Sequence, residues 1–92
     1  PKFHMCRTKI DCPLELNEKI INSARVKFKG IKTEELDGLK IWVDDSTWIL
    51  FRPSANAPEF RVFAESRDEY RARQLLAGGI NLVKETITVH GQ

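Results

Sequence analysis

The chain has 92 residues, a formal net charge of +2, 41% hydrophobic residues and 30% charged residues. This length predicts one soluble domain with a modest core, since a chain of this size buries only about 60–65% of the surface that its unfolded form exposes. The small net charge argues against nucleic acid or an anionic membrane as a partner, and no apolar run approaches the roughly 20 residues that a membrane span requires. Two cysteines, Cys6 and Cys12, are too few for a disulfide framework, so reduced cytosolic thiols are expected.

The first twelve residues alternate only weakly between apolar and polar positions. Residues 1–12 are therefore predicted to form a linker or an edge strand that enters from a preceding domain, and residues 13–92 to form a single α+β domain. The spacing of His4, Cys6, Cys12 and His90 fits no standard closed zinc site, so no metal site is expected in this chain.

A first helix is predicted to begin at Pro13, where a missing N–H group costs nothing. Apolar residues then recur at every fourth position from Leu16 to Phe28, which is typical of the buried stripe of an amphipathic helix. Two lysines followed by Gly30 predict the end of this helix.

From Ile31 onwards the apolar periodicity changes to two, which indicates strands. The Asp37-Gly38 dipeptide between two alternating runs is a strong hairpin signal and predicts a positive φ at Gly38. Three successive hairpin-like connections predict a four-stranded antiparallel meander. The predicted strands are residues 31–36, 39–44, 48–51 and 60–65.

Two features near the second turn have a functional and a structural interpretation. Asp44 and Asp45 could form a carboxylate pair, but no histidine is near them in the sequence, so a solvated turn is favoured. Trp42 and Trp48 flank that turn. They are interpreted as a cross-strand pair or a half-buried sheet face rather than as a base-stacking platform.

A second helix is predicted from the capping box that Ser66 forms with Glu69. The Gly78-Gly79 pair inside it indicates either close packing of the helix or a break. Residues 86–92 are expected to be a short frayed tail. With the helices placed on one face of the antiparallel sheet, the fold class is α+β.

The segment Arg52-Pro53-Ser54-Ala55-Asn56-Ala57-Pro58 lies between the third and fourth predicted strands. Its small side chains leave the backbone open, so that free N–H groups could converge on an anion. Arg52 brings a planar donor fork, and two neutral polar side chains follow it. Arg61 would face the solvent, either towards this loop or paired with Glu59 or Glu65. The loop is thus a candidate phosphate site, with an ordinary solvated loop as the alternative. The candidate phosphate-binding residues are Arg52, Ser54, Ala55, Asn56, Ala57 and Arg61.

The string RPSANAPEFRVFAES resembles the phosphate-binding signature of the C-terminal (fourth) domain of the phosphohexose mutases, the superfamily of phosphoglucomutase, phosphomannomutase and phosphoglucosamine mutase. That signature reads roughly R-P-S-G-T-E-P, then two residues, R-V and an acidic residue. DGLKIWV and RARQLLAGGINLVKE resemble the segments of the family before and after it, so the similarity spans roughly residues 12–85. Three loop positions depart from the signature (Ala55, Asn56 and Ala57), which leaves the sugar unassigned. The matching positions are Arg52, Pro53, Ser54, Pro58, Arg61, Val62 and Glu65.

This resemblance implies a TBP-like fold and a role in substrate binding. The loop would anchor the non-transferred phosphate of a hexose phosphate, while other domains of the parent enzyme would supply the phosphoserine, Mg²⁺ and the sugar-selecting loop. The chain would then be a cytoplasmic fragment of an intramolecular phosphotransferase, without a cofactor of its own and inactive alone. Its expected partners are a hexose phosphate and the other domains of the parent enzyme, and not nucleic acid or a membrane.

A second function class remains open. An exposed sheet face that carries Trp42 or Trp48 together with several arginines could bind a peptide or single-stranded RNA as a stand-alone module. The basic residues are scattered along the sequence rather than clustered, which counts against this alternative.

Overall fold

The computed structural model of the chain describes residues 2–90, which form one antiparallel sheet covered by helices. Within these residues the sheet has five strands in the order β1-β5-β4-β3-β2. Helical structure starts directly after Pro13, where the sequence predicts it. It begins with a 3-10 turn at residues 14–16, which leads into the first α-helix. The elements are β1 (His4–Asp11), α1 (Asn17–Lys27), β2 (Lys32–Glu34), β3 (Leu39–Asp44), β4 (Thr47–Pro53), β5 (Glu59–Ser66) and α2 (Glu69–His90).

The predicted number of four strands is wrong, because residues 4–11 form a fifth. β1 pairs with β5 along its whole length, from His4 opposite Ser66 to Asp11 opposite Glu59. It lies at the edge of the sheet, and none of its side chains is fully buried. This incomplete burial explains why the apolar alternation of the segment is weak.

Both helices pack on one face of the sheet and form the core there. The buried side chains of the strands come from alternate positions, so that they share this face. A Cβ atom at Gly79 would lie 2.8 Å from Ile49 Cδ1 and 2.9 Å from Val62 Cγ1, so the glycine lets α2 approach the sheet closely. α2 continues through the glycine pair without a break. The central core residues are Leu16, Ile20, Ala24, Leu39, Ile41, Ile49, Phe51, Phe60, Val62, Leu82 and Val83.

The second helix begins later than its predicted capping box. The N–H group of Tyr70 donates to Oδ1 of Asp68 at 3.0 Å, so Asp68 caps α2. Ser66 is instead the last residue of β5, and its buried hydroxyl lies 3.0 Å from the hydroxyl of Thr47. Ser66 Oγ also accepts the N–H group of Asp68 at 3.2 Å, but α2 begins only at Glu69, so the predicted N-cap at Ser66 is wrong.

The predicted frayed tail is also wrong over residues 86–90. α2 continues to His90, and the Thr86 side chain is buried with its hydroxyl donating to the carbonyl of Leu82 at 2.8 Å. Residues 91 and 92 lie outside the described residues. No helix within residues 2–90 is long and apolar enough to cross a membrane.

The turns follow the sequence closely. Gly38 has φ of +124°, so the positive φ predicted for it is confirmed. Asp44 forms a turn in which its carboxylate accepts the N–H group of Ser46 at 2.9 Å. Trp42 lies directly opposite Trp48, which confirms a cross-strand pair.

Candidate functional site

The candidate loop is the connection between β4 and β5, here called the β4–β5 loop (residues 54–58). Two backbone hydrogen bonds close it. The N–H group of Ser54 donates to the carbonyl of Glu59 at 3.0 Å, and the N–H group of Glu59 donates to the carbonyl of Ala57 at 2.7 Å. The carbonyl of Pro58 accepts the N–H group of Cys12 at 2.8 Å. The loop is thus fixed both to its own hairpin and to the end of β1.

A cavity of about 300 Å³ lies against this loop. Five of the six predicted site residues line it. The sixth, Ala57, does not. The lining residues are Asp37, Gly38, Arg52, Pro53, Ser54, Ala55, Asn56 and Arg61.

Two guanidinium groups share this cavity. Arg52 of β4 lies directly opposite Arg61 of β5, and both residues are exposed. Arg61 makes one long ion pair, at 3.9 Å to Glu59, whereas Arg52 has no carboxylate within 4 Å among residues 2–90. Like charges directly opposite each other in a sheet are destabilising. A bound anion would relieve this repulsion, so the arrangement suits an anionic ligand.

The loop backbone contributes fewer donors than the sequence suggests. The N–H group of Ser54 closes the hairpin, and that of Asn56 donates to Ser54 Oγ at 3.3 Å. Within residues 2–90, the N–H groups of Ala55 and Ala57 donate to no protein acceptor. No residue of the loop has the positive φ that closes many anion-binding nests. The side chains of the two arginines therefore carry most of the capacity to bind an anion.

The β2–β3 turn adds two residues that sequence reasoning did not assign to the site. Asp37 and Gly38 line the same cavity, and a Cβ atom at Gly38 would lie 2.3 Å from the carbonyl oxygen of Phe51. The only sequence signal for them is the Asp-Gly turn itself. That turn lies beside the loop because β3 pairs with β4 and brings Leu39 opposite Phe51.

Other reactive groups do not gather at this site. Burial raises the pKa of the Cys6 and Cys12 thiols, so both are poor nucleophiles at neutral pH. The structure leaves both cysteines free. Among residues 2–90, no group of three or more His, Cys, Asp or Glu side chains could hold a metal ion.

The tryptophan pair lies on the open sheet face, and its rings are already in contact with a cation. The Lys40 ammonium lies 4.7 Å from the ring centre of Trp42 and 4.3 Å from that of Trp48. A cation that occupies both rings leaves less room for a stacked base. This contact counts against the RNA-binding alternative.

No protein-family model matches the chain, but comparison with known proteins yields sequence relatives that are named as phosphoglucosamine mutases or as a phosphoglucomutase/phosphomannomutase. The chain is 37% identical over 91 residues to a probable phosphoglucosamine mutase of Pyrococcus horikoshii. It is 36% identical over 91 residues to a phosphoglucosamine mutase of Methanococcus vannielii. Over 88 residues it is 34% identical to a phosphoglucomutase/phosphomannomutase of Thermococcus kodakarensis.

Each alignment covers 95% of this chain but only 19–20% of the relative. The chain therefore spans about a fifth of the length of the curated relatives that it matches. The similarity includes the β4–β5 loop and both helices, because nearly all of the chain is aligned. The chain is thus related by sequence to the phosphohexose mutases, and its resemblance to their C-terminal domain is confirmed.

Proposed function

We propose that this chain is the substrate-phosphate-binding domain of a phosphohexose mutase, an isomerase that moves a phosphoryl group within a hexose phosphate. In this role the β4–β5 loop, with Arg52 and Arg61, anchors the phosphate that is not transferred. The observation that carries the proposal is the pair of guanidinium groups that share one cavity with the loop. The names of the relatives supply the reaction class.

A domain without a nucleophile can still be essential to such a reaction. Phosphoryl transfer depends mainly on positioning and on stabilising charge, so a group that fixes one end of the substrate contributes directly to the rate. Arg52 would hold two phosphate oxygens through its planar fork, and Arg61 would add a second positive charge. The Ser54 hydroxyl and the Asn56 amide would supply neutral hydrogen bonds.

Asp37 adds a negative charge to a cavity that otherwise carries two positive charges, which a simple phosphate site would lack. Asp37 lines the same cavity as the two arginines, and its negative charge would repel a phosphate. It would accept hydrogen bonds from the hydroxyl groups of the sugar, or from an ammonium group in an aminosugar. In the proposed complex the phosphate would lie towards the arginines and the sugar towards the β2–β3 turn.

The remaining chemistry is proposed for the other domains of the parent enzyme, which would carry the nucleophile, Mg²⁺ and the sugar-selecting loop. The described residues of this chain do not fit a metal site, and no step of the proposed role passes through a metal. A cytoplasmic location agrees with the free cysteines. The TBP-like fold stays a prediction.

The proposal is tested by an amide chemical-shift titration of the chain with glucosamine 6-phosphate and glucose 6-phosphate. Glucosamine and glucose, which lack the phosphate ester, serve as controls. We expect shifts concentrated at residues 54–57 with the phosphate esters only, and a weak affinity on the order of millimolar, since one loop must offset the whole cost of association. Shifts that centre on Trp42 and Trp48, or that are equal with the free sugars, would contradict the proposal.

A further inference from the structure

The cationic surface of the sheet continues beyond the β4–β5 loop. A second cavity, of about 410 Å³, lies on the open sheet face, which is the face opposite the helices. Arg61 lines both this cavity and the loop cavity, so the two are contiguous. The residues that line the second cavity are Arg7, Thr8, Lys9, Arg61 and Phe63.

The strand register places three cations in one row across this face. Lys9 of β1 lies directly opposite Arg61 of β5, which lies directly opposite Arg52 of β4. Neighbouring strands are about 4.8 Å apart, so the row spans about 10 Å from its first member to its last. Arg7 lies two residues before Lys9 on the same face and adds a fourth cation.

The carboxylates nearby neutralise only part of this charge. Glu59 is shared between two cations, at 3.6 Å from Lys9 and 3.9 Å from Arg61. Within residues 2–90, no carboxylate lies within 4 Å of the Arg7 guanidinium, as is also true of Arg52. Like charges directly opposite each other destabilise a sheet, and one shared carboxylate offsets only part of this repulsion, so the row favours a bound anion.

The floor of the second cavity is apolar. Phe63 lies directly opposite Arg7 on one side and Leu50 on the other, and it is half-buried. A ring flanked by cations on an open face can pack against the carbon skeleton of a ligand while the cations hold its charged group. The cavity therefore combines an apolar contact with two or three charged donors.

We propose that Arg7, Lys9 and Arg61, above Phe63, form a second anion subsite that takes a phosphoryl group. It adjoins the loop site through Arg61, so that one sugar phosphorylated at both ends could contact both sites. The second phosphoryl group could belong to the same ligand or to a separate phosphate, and the chemistry of recognition is the same. The subsite itself rests on the cation row of the open sheet face, whereas the bridging of both sites by one ligand rests on the function proposed for the β4–β5 loop.

The test is an amide-shift titration of the chain at low ionic strength, because salt screens exposed charges. The probes are inorganic phosphate, glucose 6-phosphate and glucose 1,6-bisphosphate. We expect the bisphosphate to shift the amides of residues 7–9 and Phe63 as well as those of the loop. Its affinity should exceed that of the monophosphate about tenfold or more, since the second contact is intramolecular. If a separate phosphate is the ligand, inorganic phosphate alone will shift residues 7–9.

Two variants of equal charge change make the test specific. Arg7→Gln and Lys9→Gln, each of which removes one positive charge, should both reduce the gain of the bisphosphate over the monophosphate and leave the loop shifts unchanged. The matched control is Lys19→Gln, an exposed cation on α1, which should have no effect if the subsite is local. Preserved amide spectra would show that each variant is folded.

The outcomes separate this subsite from the loop site. Phosphate probes that shift only the loop amides would overturn the subsite and leave the loop proposal intact. Shifts at residues 7–9 without loop shifts would overturn the loop proposal alone. Equal weakening by Lys19→Gln, or a stronger response of the same amides to an oligonucleotide, would also overturn the subsite as a site for a small phosphorylated ligand.

Discussion

Gly38 joins the β2–β3 turn to the candidate site, and its replacement by alanine is expected to destabilise the protein strongly. The residue has φ of +124°, a region that only glycine enters readily. A Cβ atom there would also lie 2.3 Å from the carbonyl oxygen of Phe51 and 3.1 Å from the Cα atom of Arg52. Both contacts are with backbone, which cannot rotate away as a flexible side chain can.

The size of the effect follows from these two costs. A non-glycine residue in a sparsely populated backbone region costs about 1–3 kcal/mol. Relief of the contact with Phe51 requires β4 to shift at the residue before Arg52, which adds to that cost. We expect Gly38→Ala to lower the free energy of unfolding by about 2 kcal/mol or more, which corresponds to a decrease of about 8 °C or more in Tm for a domain of this size.

Thermal and urea unfolding of Gly38→Ala measure this change, with Gly78→Ala as the matched control. Gly78 lies in α2, and a Cβ atom there would meet no heavy atom nearer than 3.6 Å. If Gly38→Ala changed the unfolding free energy by less than about 0.5 kcal/mol, which is the range of neutral surface substitutions, the strained turn would be refuted. An intact fold with weaker phosphate binding would indicate that the turn acts mainly through the position of Arg52.

Three further predictions concern the packing and the turns of the sheet. Gly78→Ala should stabilise the protein by up to about 1 kcal/mol through helix propensity. Gly79→Ala should destabilise it, because the added Cβ atom would lie 2.8 Å from Ile49 Cδ1 of the sheet. Urea unfolding of the two variants tests the sign of each effect. Ser66→Ala should cost about 1–3 kcal/mol, because it leaves the buried Thr47 hydroxyl without its partner; no loss in urea unfolding would contradict that pairing. The pKa of Asp44 is lowered from 3.8, chiefly because its carboxylate accepts a hydrogen bond from the Ser46 backbone, so the stability that Asp44 contributes should be present above that pH and lost as the pH falls below it. Asp44→Asn should therefore make acid unfolding less steep, and an unchanged acid profile would contradict this.

Much of the architecture is local enough to be predicted from the sequence. The Asp-Gly turn, the alternation from Leu39 and the four-residue spacing from Leu16 each follow from interactions between near neighbours. The predictions of a four-stranded sheet, of a cap at Ser66 and of a frayed tail failed, because contacts with distant residues decided the outcome. Residues 4–11, predicted as a linker or an edge strand, form the edge strand β1 through their pairing with β5. Ser66 is the last residue of β5, with its hydroxyl against that of Thr47 on β4, and Thr86 is buried within α2.

In the candidate site, too, the features that depend on near neighbours could be predicted and those that depend on distant partners could not. The loop residues with Arg52 could be identified from their own sequence, since donor chemistry and small side chains are local properties. Asp37 and Lys9 could not be placed beside them, because their positions depend on the pairing of β3 with β4 and of β1 with β5. The sequence also suggests more free N–H groups in the β4–β5 loop than the structure leaves, for a related reason. The sequence does not show that the Ser54 N–H group is consumed by the hairpin.

The proposed phosphate site depends most on Arg52, and the contribution of this residue can be measured by titration of Arg52→Ala, Arg52→Lys and Ser54→Ala with glucosamine 6-phosphate. Arg52→Ala should weaken binding about tenfold or more and Ser54→Ala only about threefold, because a charged donor contributes more than a neutral one. Arg52→Lys should restore only part of the affinity, since an ammonium group lacks the planar fork. Lys19→Ala, which removes the same charge on α1, should have no effect. Unchanged affinity in Arg52→Ala, or an equal loss in Lys19→Ala, would show that the β4–β5 loop is not the phosphate site.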